Sequence, residues 1–391
     1  MVYIAAAAAG GNSAQKALDA ILDSFNDQFR EAPPDLGILF LTSDYHAQVS
    51  RIVQRIRSET GVRILIGCTA EGVIGPEQEY EREPALSLWL AHLPGVFIHP
   101  FHLTREQIML NPRQEEWEQL LHVSQSEKCH AILFGDPYSL PIDRVLGGVN
   151  QHLPNCTVLG GMASGAFTAG ETVLIHNDTI YHDGCVGVSI SGPVEIDTVI
   201  SQGCRPIGQP MMITQGERNV IQQLSGRPAL VALNEMFSLL SESDRELLNH
   251  GLFVGRVIDE YKQNFQRGDF LIRNVIGADH ETGSITVIDH VHPGTTVQFH
   301  VRDAATADED LRALLDQKNG NQYAGALFFN CNGRGTRMYT DENHDINILK
   351  EKFHTSPVAG FFCAGELGPV GGKNFIHGHT ASIALIRKKN P

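Results

Sequence analysis

Three apolar stretches of the sequence end in glycines that are interleaved with one carboxylate or hydroxyl side chain. They span residues 62–72, 156–165 and 357–372. The small and polar residues at these three junctions are Cys68, Thr69, Glu71, Ser164, Gly365 and Glu366. Glycine at the end of a strand either reverses the chain or lets backbone approach a ligand closely. Because α/β proteins place binding sites at such strand ends, the pattern predicts a site for a small molecule.

Two carboxylates and one guanidinium group give these junctions their chemistry. Glu366 and Glu71, which we place at corresponding positions of two junctions, can bind a ligand ammonium group or accept backbone hydrogen bonds. Arg334 follows Asn330 at the end of another predicted strand, and it can bind a ligand carboxylate or pair with an acidic residue. Ser164 has no charge, so the second junction is either a degenerate site or a structural one. The charges favour a zwitterionic ligand such as an amino acid, bound without chemistry.

The seven cysteines predict a reducing, cytoplasmic environment, because their number is odd and no C-x-x-C pair occurs. Cys331 and Cys68, which we place at the same strand-to-loop position of two repeats, could act as nucleophiles if a histidine lowered the thiol pKa. No local Cys/His motif supports this, so a thiol-dependent enzyme is an alternative to the binding role.

Histidine raises a second alternative, since the chain contains 18 of them. His290 with His292, and His377 with His379, are two residues apart, which on a strand places both rings on one side. Such a pair could bind a metal or haem iron, and His377, just after the last glycine junction, is the better axial-ligand candidate. No carboxylate or cysteine stands at metal-ligand spacing, so the pattern is more typical of structural histidines. We therefore expect no cofactor, with haem as the alternative.

Composition excludes several classes of protein. The 391 residues, 42% hydrophobic and 19% charged, predict a soluble globular chain of two domains or of repeats. A formal net charge of −15 argues against a nucleic-acid partner, which needs a basic face. No apolar run reaches the roughly 18 residues that a membrane helix requires, so no membrane partner is expected.

The elements that position these residues recur three times along the chain. Each pass reads strand, helix, strand, helix, strand, strand, over residues 3–91, 96–190 and 296–386. A Leu-Phe pair lies in the strand before the last helix of each pass, at Leu39-Phe40, Leu133-Phe134 and Leu327-Phe328. We predict an α/β protein of three degenerate β-α-β-α-β-β units, whose mixed sheets are flanked by helices.

Capping residues and a change of pattern complete the prediction. Ser13 is predicted to cap the first helix, and Thr306 with Glu309 has capping-box spacing at the head of a helix in the third unit. Residues 195–295 interrupt the repeat and include two paired strands. The predicted domains are therefore residues 1–219 and 220–391.

Several short motifs resemble those of the FIST family. The motifs occur in the family's order at residues 67–72, 213–221, 224–229, 269–274, 297–303, 310–311, 330–335 and 360–369. The first is similar to the FIST N glycine motif, the next two to the junction of FIST N and FIST C, and the others to FIST C. The resemblance implies an intracellular sensory module that binds small ligands, usually suggested to be amino acids. Some members are haem proteins that respond to nitric oxide, and others carry an F-box or signalling output domains. None of these output regions is visible here, so a protein partner would supply the output.

Overall fold

The computed structural model describes residues 2–25, 28–29, 32–262, 264–353 and 357–389, and the chain divides into two compact units. The first unit contains residues 1–200, 312–376 and 380–391, and the second contains residues 201–311 and 377–379. In the described part of the chain, no helix has the length and hydropathy that crossing a membrane requires.

The elements follow the predicted order in the first two repeats. The first repeat contains β1 (Tyr3–Gly10), α1 (Ala14–Ser24), β2 (Leu36–Thr42), α2 (Val49–Thr60), β3 (Ile64–Ala70), β4 (Gly72–Ile74), β5 (Glu79–Glu81) and β6 (Ala85–His92). The second contains β7 (Phe97–Leu103), α3 (Arg105–Met109), α4 (Gln114–Leu121), β8 (Cys129–Gly135), α5 (Ile142–His152), β9 (Cys156–Met162), β10 (Leu174–His176), β11 (Thr179–Tyr181) and β12 (Cys185–Ser191). A short hairpin, β4–β5 or β10–β11, stands between the third strand and the closing strand of each repeat.

The third repeat is split by an insertion after its first strand, β13 (Val194–Gln202). The insertion contains β14 (Cys204–Glu217), β15 (Val220–Leu224), β16 (Arg227–Pro228), α6 (Ala229–Leu239), α7 (Glu242–Leu247), β17 (Leu252–Val257), β18 (Phe270–Asp279), β19 (Ser284–Val287) and β20 (Thr296–Arg302). The repeat then continues with α8 (Ala304–Asp316), β21 (Gly325–Cys331), α9 (His344–Lys352), β22 (Val358–Cys363), β23 (Glu366–Val370), β24 (Lys373–His377) and β25 (Thr380–Lys388). The prediction that this repeat starts at residues 296–301 was wrong, because that strand belongs to the insertion.

Each repeat forms a mixed six-stranded sheet that is completed by the hairpin of another repeat. Within a sheet the order is first strand, closing strand, second strand, third strand and then the borrowed hairpin. The first sheet borrows β10–β11, the second borrows β23–β24 and the third borrows β4–β5. The second and third strands of each repeat pair in parallel, and the closing strand pairs antiparallel to the second. The exchange is cyclic: in each repeat, the chain passes from the third strand into a hairpin of a neighbouring sheet.

One glycine in each third strand fixes the correspondence between the repeats. A Cβ at Gly67, Gly160 or Gly360 would collide with a backbone carbonyl of the second strand, that of Leu39, Leu133 and Phe328 respectively. The following residues, Phe40, Phe134 and Phe329, are therefore equivalent. Their ring centroids lie 5.2, 6.5 and 6.0 Å apart, in one core shared by the three sheets. The predicted Leu-Phe register was thus correct in two repeats and one residue early in the third.

The second unit is built around an antiparallel sheet that closes on itself. Its strand order is β14-β20-β17-β18-β19-β15-β16, and β14 also pairs with β15. The apolar side chains inside it include Phe299, Leu224 and Ile285, and α6 packs there through Leu233 and Met236. The predicted pairing of the two strands here, β18 with β19, is confirmed.

The two predicted helix caps had different outcomes. Ser13 precedes α1, and its Oγ accepts the N–H of Lys16 at 3.4 Å, as expected. The Thr306–Glu309 capping box was wrong, because α8 already begins at Ala304. Asp303, the residue before α8, instead accepts the N–H of Thr306 through its side-chain Oδ1 at 3.3 Å.

Candidate functional site

The three glycine junctions meet through the hydroxyl group of Ser164. This hydroxyl accepts the backbone N–H of Glu71 at 2.9 Å and donates to the carbonyl of Phe362. Gly165, the next residue, packs so closely that a Cβ would lie 2.8 Å from the backbone nitrogen of Ala70. Ser164 therefore joins the first and third repeats to the second, and this contact fixes the backbone position of Glu71.

A small cleft opens beside Glu71, where the β4–β5 hairpin lies on the third sheet. Its lining residues are Glu71, Gly72, Glu81, Arg82, Asn332, Arg337 and Phe362, and they leave room for about 10 Å³, close to one water molecule. Glu71 forms a salt bridge with Arg337, whose Nη1 lies 3.0 Å from Oε2, and the amide of Asn332 donates to the same oxygen at 3.3 Å. The Glu71 side chain is 33% exposed and that of Arg337 is 43% exposed. Both charges therefore remain accessible to a solute.

Arg334 lies on the same segment but is completely buried. Its Nε and Nη2 donate to the two carboxylate oxygens of Asp345 at 2.8 and 2.9 Å, and Nη2 also donates to the Tyr339 hydroxyl at 2.8 Å. Burial alone would raise the pKa of Asp345. The charge of Arg334 and hydrogen bonds from His344, Arg334 and Asn330 instead hold that pKa well below its ordinary value. The result is an ion pair that fixes the turn carrying Arg337.

The β4–β5 hairpin contributes two further carboxylates around this turn. Glu81 accepts the backbone N–H of Thr336 through Oε1 and the Thr336 hydroxyl through Oε2, both at 2.9 Å. Glu79, only 7% exposed, accepts the N–H of Ile346 at 2.8 Å through Oε1, in the first turn of α9. Burial, with the negative charge of Asp345 nearby, raises the pKa of Glu79 to about 8. The Glu79 carboxyl group is therefore mostly protonated at neutral pH.

Glu366 was predicted at a strand end open to a ligand, but it is the first residue of β23 and is fully buried. Its Oε2 accepts the N–H of Thr380 at 3.2 Å. Burial raises the pKa of Glu366 well above its ordinary value, and the hydrogen bonds from Thr380 and the Cys331 thiol offset this only in part. Burial therefore favours the neutral, protonated form of the Glu366 carboxyl group.

Two predicted correspondences were wrong once the glycine register is applied. Counting from Gly67 and Gly360, Glu71 corresponds to Ala364, while Glu366 corresponds to Val73. The β-ladders agree, since Val73 pairs with Phe361 and Glu366 pairs with Gly161 at the equivalent place of the next sheet. Cys331 ends the second strand of its repeat, whereas Cys68 lies inside a third strand. Glu71 and Glu366 thus occupy non-equivalent positions of their repeats, and so do Cys68 and Cys331.

Four buried polar atoms surround this region without a hydrogen-bond partner among the described residues. They are Arg334 Nη1, Asn330 Oδ1, Glu366 Oε1 and Glu79 Oε2. Asn330 and Arg334 are neighbours, because both donate to Asp345 Oδ2. Buried polar groups are normally satisfied, so these atoms, concentrated around one arginine, are hydrogen-bonding capacity that the described residues do not use.

The thiols near the cleft are engaged with the protein. Burial raises the pKa of Cys68 well above its ordinary value, which disfavours the nucleophilic thiolate. Thr69, the next residue, is also buried, and its hydroxyl accepts the N–H of Val173 at 3.1 Å. Cys331 is 6% exposed, and its sulfur accepts the N–H of Gly333 at 3.3 Å. Cys68 and Thr69 are therefore both buried within the protein, and the Thr69 hydroxyl is hydrogen-bonded to its backbone.

Sequence comparison identifies the family. The FIST N domain model matches residues 35–227, and the FIST C domain model matches residues 229–369. The chain belongs to the FIST family. FIST domains form a sensory family in signal transduction, which confirms the resemblance seen in the short motifs and is consistent with small-ligand sensing. The predicted boundary at residues 219/220 stays a prediction.

Two curated relatives are similar to this FIST chain over nearly its whole length. An uncharacterised protein of Mycobacterium tuberculosis is 38% identical over 361 residues, which cover 90% of this chain and 91% of the relative. An uncharacterised protein of Mycobacterium bovis is 36% identical over 368 residues, 92% of each chain. Among solved structures, cyanuric acid hydrolase from A. caulinodans aligns over 100% of this chain and 99% of its own, with 9% identity and a TM-score of 0.37. A similarity of that size carries no functional conclusion.

The haem alternative of the FIST family concerns His377, at the end of β24. This residue is 3% exposed. Within the described ranges, no group of three or more His, Cys, Asp or Glu side chains could hold a metal ion. Haem binding stays a prediction. It is tested by haemin titration, in which a Soret shift present in the wild type and lost in His377→Ala would support it.

Sequence reasoning missed most of the residues that line or support the cleft of this FIST chain. The missed residues are Glu79, Glu81, Arg82, Asn332, Arg337 and Asp345. Asn332 and Arg337 flank Arg334, so the polar segment after the second strand was a usable signal. The hairpin residues gave no such signal, because their position depends on the exchange of hairpins between repeats.

Proposed function

We propose that this FIST protein senses a small zwitterionic metabolite, such as an amino acid, that binds in the cleft beside Glu71. The observation that carries the proposal is the partly exposed Glu71–Arg337 ion pair at the meeting point of the three glycine junctions. An amino acid presents an ammonium and a carboxylate on neighbouring carbons. It can therefore insert between these two side chains, with its ammonium group on Glu71 and its carboxylate on Arg337.

The cleft as it stands has room for little more than one water molecule, about 10 Å³, so an amino acid must part Glu71 from Arg337 in order to bind. Both side chains are partly exposed, so each can turn its charge towards such a ligand. Phe362 supplies apolar surface, and the amide of Asn332 supplies a hydrogen-bond donor. Gly72 has no room for a side chain, since a Cβ there would lie 2.7 Å from the carbonyl oxygen of Tyr80.

Arg334 and Glu366 take a supporting place in this proposal. Arg334 is fixed by Asp345 and holds the turn that presents Arg337. Arg334 Nη1, Asn330 Oδ1 and Glu366 Oε1 have no hydrogen-bond partner among the described residues, so they can bond to a ligand group if binding opens a path to them. The predicted contacts of Arg334 and Glu366 with a ligand are thus retained as a deeper part of the same site. A sensory role also requires another protein that reads the ligand-bound form.

The experiment is a thermal-shift screen of the common amino acids, followed by calorimetric titration of each hit. A ligand at 100 times its Kd stabilises the folded state by about 2.7 kcal/mol, which is readily measured. Glu71→Gln and Arg337→Gln should each weaken binding at least tenfold, because each removes one of the two ionic contacts. Arg227→Gln is the matched control, since it breaks the Arg227–Glu235 surface pair of similar exposure.

Two outcomes would overturn the proposal. One is that no amino acid stabilises the protein at millimolar concentration. The other is a hit whose affinity is the same in the wild type, Glu71→Gln and Arg337→Gln, because that ligand would bind elsewhere.

A further inference from the structure

Two cysteines far from the cleft begin neighbouring strands of the second sheet. Cys129 is the first residue of β8, and Cys156 is the first residue of β9. The two strands are parallel, and their register pairs Cys129 directly with Cys156. Neighbouring strands lie about 4.8 Å apart, and residues paired in parallel strands project from the same face of the sheet. That spacing falls within the roughly 4.4–6.8 Å between Cα atoms that disulfides span.

The two thiols interact, and their environments differ in the way that a redox pair requires. A hydrogen bond from Cys156 lowers the pKa of Cys129 despite its burial. The same hydrogen bond, together with burial, raises the pKa of Cys156 well above its ordinary value. Cys129 therefore forms the thiolate more readily, while Cys156 keeps its proton. A thiolate beside a protonated thiol is the arrangement of a nucleophilic cysteine and a resolving cysteine.

Each of the two cysteines is buried but directly follows an exposed segment of the chain. Cys129 follows the exposed residues 124–128, and Cys156 follows the exposed residues 154–155. Their own exposures are 1% and 3%. Because both thiols are buried, the adjoining exposed segments must move before an oxidant can reach them.

A second pair of cysteines in register provides an internal comparison. Cys331 and Cys363 are paired in the parallel strands β21 and β22. The Cys363 sulfur lies 3.7 Å from the carbonyl oxygen of Phe361, to which it donates, and the Cys331 sulfur accepts the N–H of Gly333. In that pair the thiols hydrogen-bond to separate groups, Cys331 to Gly333 and Glu366, and Cys363 to Phe361, so equal spacing of the strands does not create the same chemistry.

We propose that Cys129 and Cys156 form a reversible disulfide when the protein meets a hydroperoxide, so that the chain also senses oxidants. The Cys129 thiolate attacks one peroxide oxygen, the O–O bond breaks, and hydrogen peroxide yields a sulfenic acid on Cys129 and hydroxide. The Cys156 thiol then attacks the sulfenic sulfur, an S–S bond forms, and the sulfenic oxygen leaves as water. The proton of Cys156 neutralises the leaving hydroxide. The proton that Cys129 released on forming its thiolate converts the hydroxide of the first step into water. In total two thiols lose two electrons, and one peroxide becomes two waters.

The disulfide would covalently link β8 to β9. β9 ends in the junction where Ser164 holds the backbone of Glu71. The proposal does not depend on ligand binding in the cleft, and its experiment uses no amino acid.

The experiment treats the reduced full-length protein with graded hydrogen peroxide, quenches free thiols with N-ethylmaleimide and maps the disulfide peptides by mass spectrometry. A peptide linking Cys129 to Cys156 should form at the lowest peroxide concentration and disappear after dithiothreitol. In Cys156→Ser, the sulfenic acid on Cys129 has no resolving thiol and should be trapped by dimedone. In Cys129→Ser, no dimedone adduct should form on Cys156 at the same peroxide concentration.

The wild-type map alone can overturn the proposal, so the outcome does not depend on whether a variant folds. The proposal fails if Cys331–Cys363 or mixed linkages form as early as Cys129–Cys156. It also fails if Cys129 is oxidised no faster than the buried Cys68. Cys331→Ser is the control variant, and it should leave the rate of the Cys129–Cys156 linkage unchanged.

Discussion

The sharpest physical prediction concerns Glu79, a carboxyl group that the fold holds in its neutral form. Glu79 is 7% exposed, and its Oε1 accepts the N–H of Ile346 at 2.8 Å, while Oε2 has no partner among the described residues. Glu79→Gln has almost the same shape and keeps the accepting oxygen. It cannot ionise. The substitution therefore removes one property, the cost of a negative charge in this buried place.

The size and sign of the effect follow from the pKa. The folded-state pKa of Glu79 is about 8, whereas the ordinary value is 4.5. For an acid whose pKa is raised by folding, the stability is fully present below the unfolded pKa and is lost as pH rises towards the folded pKa. At 1.36 kcal/mol per unit, wild-type protein should lose about 3–4 kcal/mol from this group between pH 5 and pH 8. Glu79→Gln should match the wild type at pH 5 and be more stable at pH 8.

Urea unfolding at several pH values measures this difference, with the buried Trp89 and Trp117 as fluorescence probes. Other groups, Glu366 among them, titrate in both proteins and cancel in the comparison. Glu77→Gln is the control, because Glu77 lies near Glu79 but its side chain is 80% exposed. A stability difference between Glu79→Gln and wild type that stays constant from pH 5 to pH 8 would refute the reasoning, since the charge would then cost nothing in the fold.

Three further predictions follow from the same unfolding measurement. Asp345→Asn leaves the buried Arg334 without its counter-charge and should destabilise by about 3–5 kcal/mol; a loss under 1 kcal/mol would mean that the pair is not buried as described. Gly360→Ala should destabilise by several kcal/mol, whereas Gly147→Ala, in a helix with open space around it, should stabilise by about 0.5–1 kcal/mol; equal effects would contradict the close approach. Ser164→Ala should cost about 1–3 kcal/mol, because the N–H of Glu71 loses its acceptor, and an unchanged midpoint would count against this link between the repeats.

The repeat was predictable from the sequence because its signals are local. Continuous apolar runs mark the buried second and third strands, as in Leu36–Thr42, where every residue is buried. The glycine of each third strand is visible in the sequence although its cause is a contact between strands, since the carbonyl of the second strand leaves no space for a Cβ. Ser13 could be predicted as a helix cap because the contact is local: its Oγ accepts the N–H of Lys16, three residues later.

The arrangement of the site was not predictable, because it depends on contacts far apart in the chain. Glu79 and Ile346 are joined by a hydrogen bond across 267 positions, and Glu71 and Arg337 across 266. Contacts between residues so far apart in the chain produce no local sequence pattern, so a single sequence does not reveal them. The insertion in the third repeat added a second difficulty, since the strand at Thr296–Arg302 has the same apolar content as the true first strand, Val194–Gln202.

The register also explains why the polar groups gather in one of three similar places. At the end of the second strand the equivalent residues are Thr42, Asp136 and Cys331. The Thr42 hydroxyl accepts the N–H of Ala85 at 3.1 Å, and Asp136 accepts that of Ser139 at 2.9 Å, so each stabilises its own repeat.

At the start of the borrowed hairpin the equivalents are Val73, Leu174 and Glu366, two apolar residues and one buried acid. A repeat needs only packing at these positions, and a buried carboxyl group costs stability there. The three repeats share the fold of the junction but differ at these positions. The shared residues therefore serve the structure, and the residues that differ are the candidates for function. That difference, more than the glycines common to all three junctions, is the reason to look for the ligand where the first and third repeats meet.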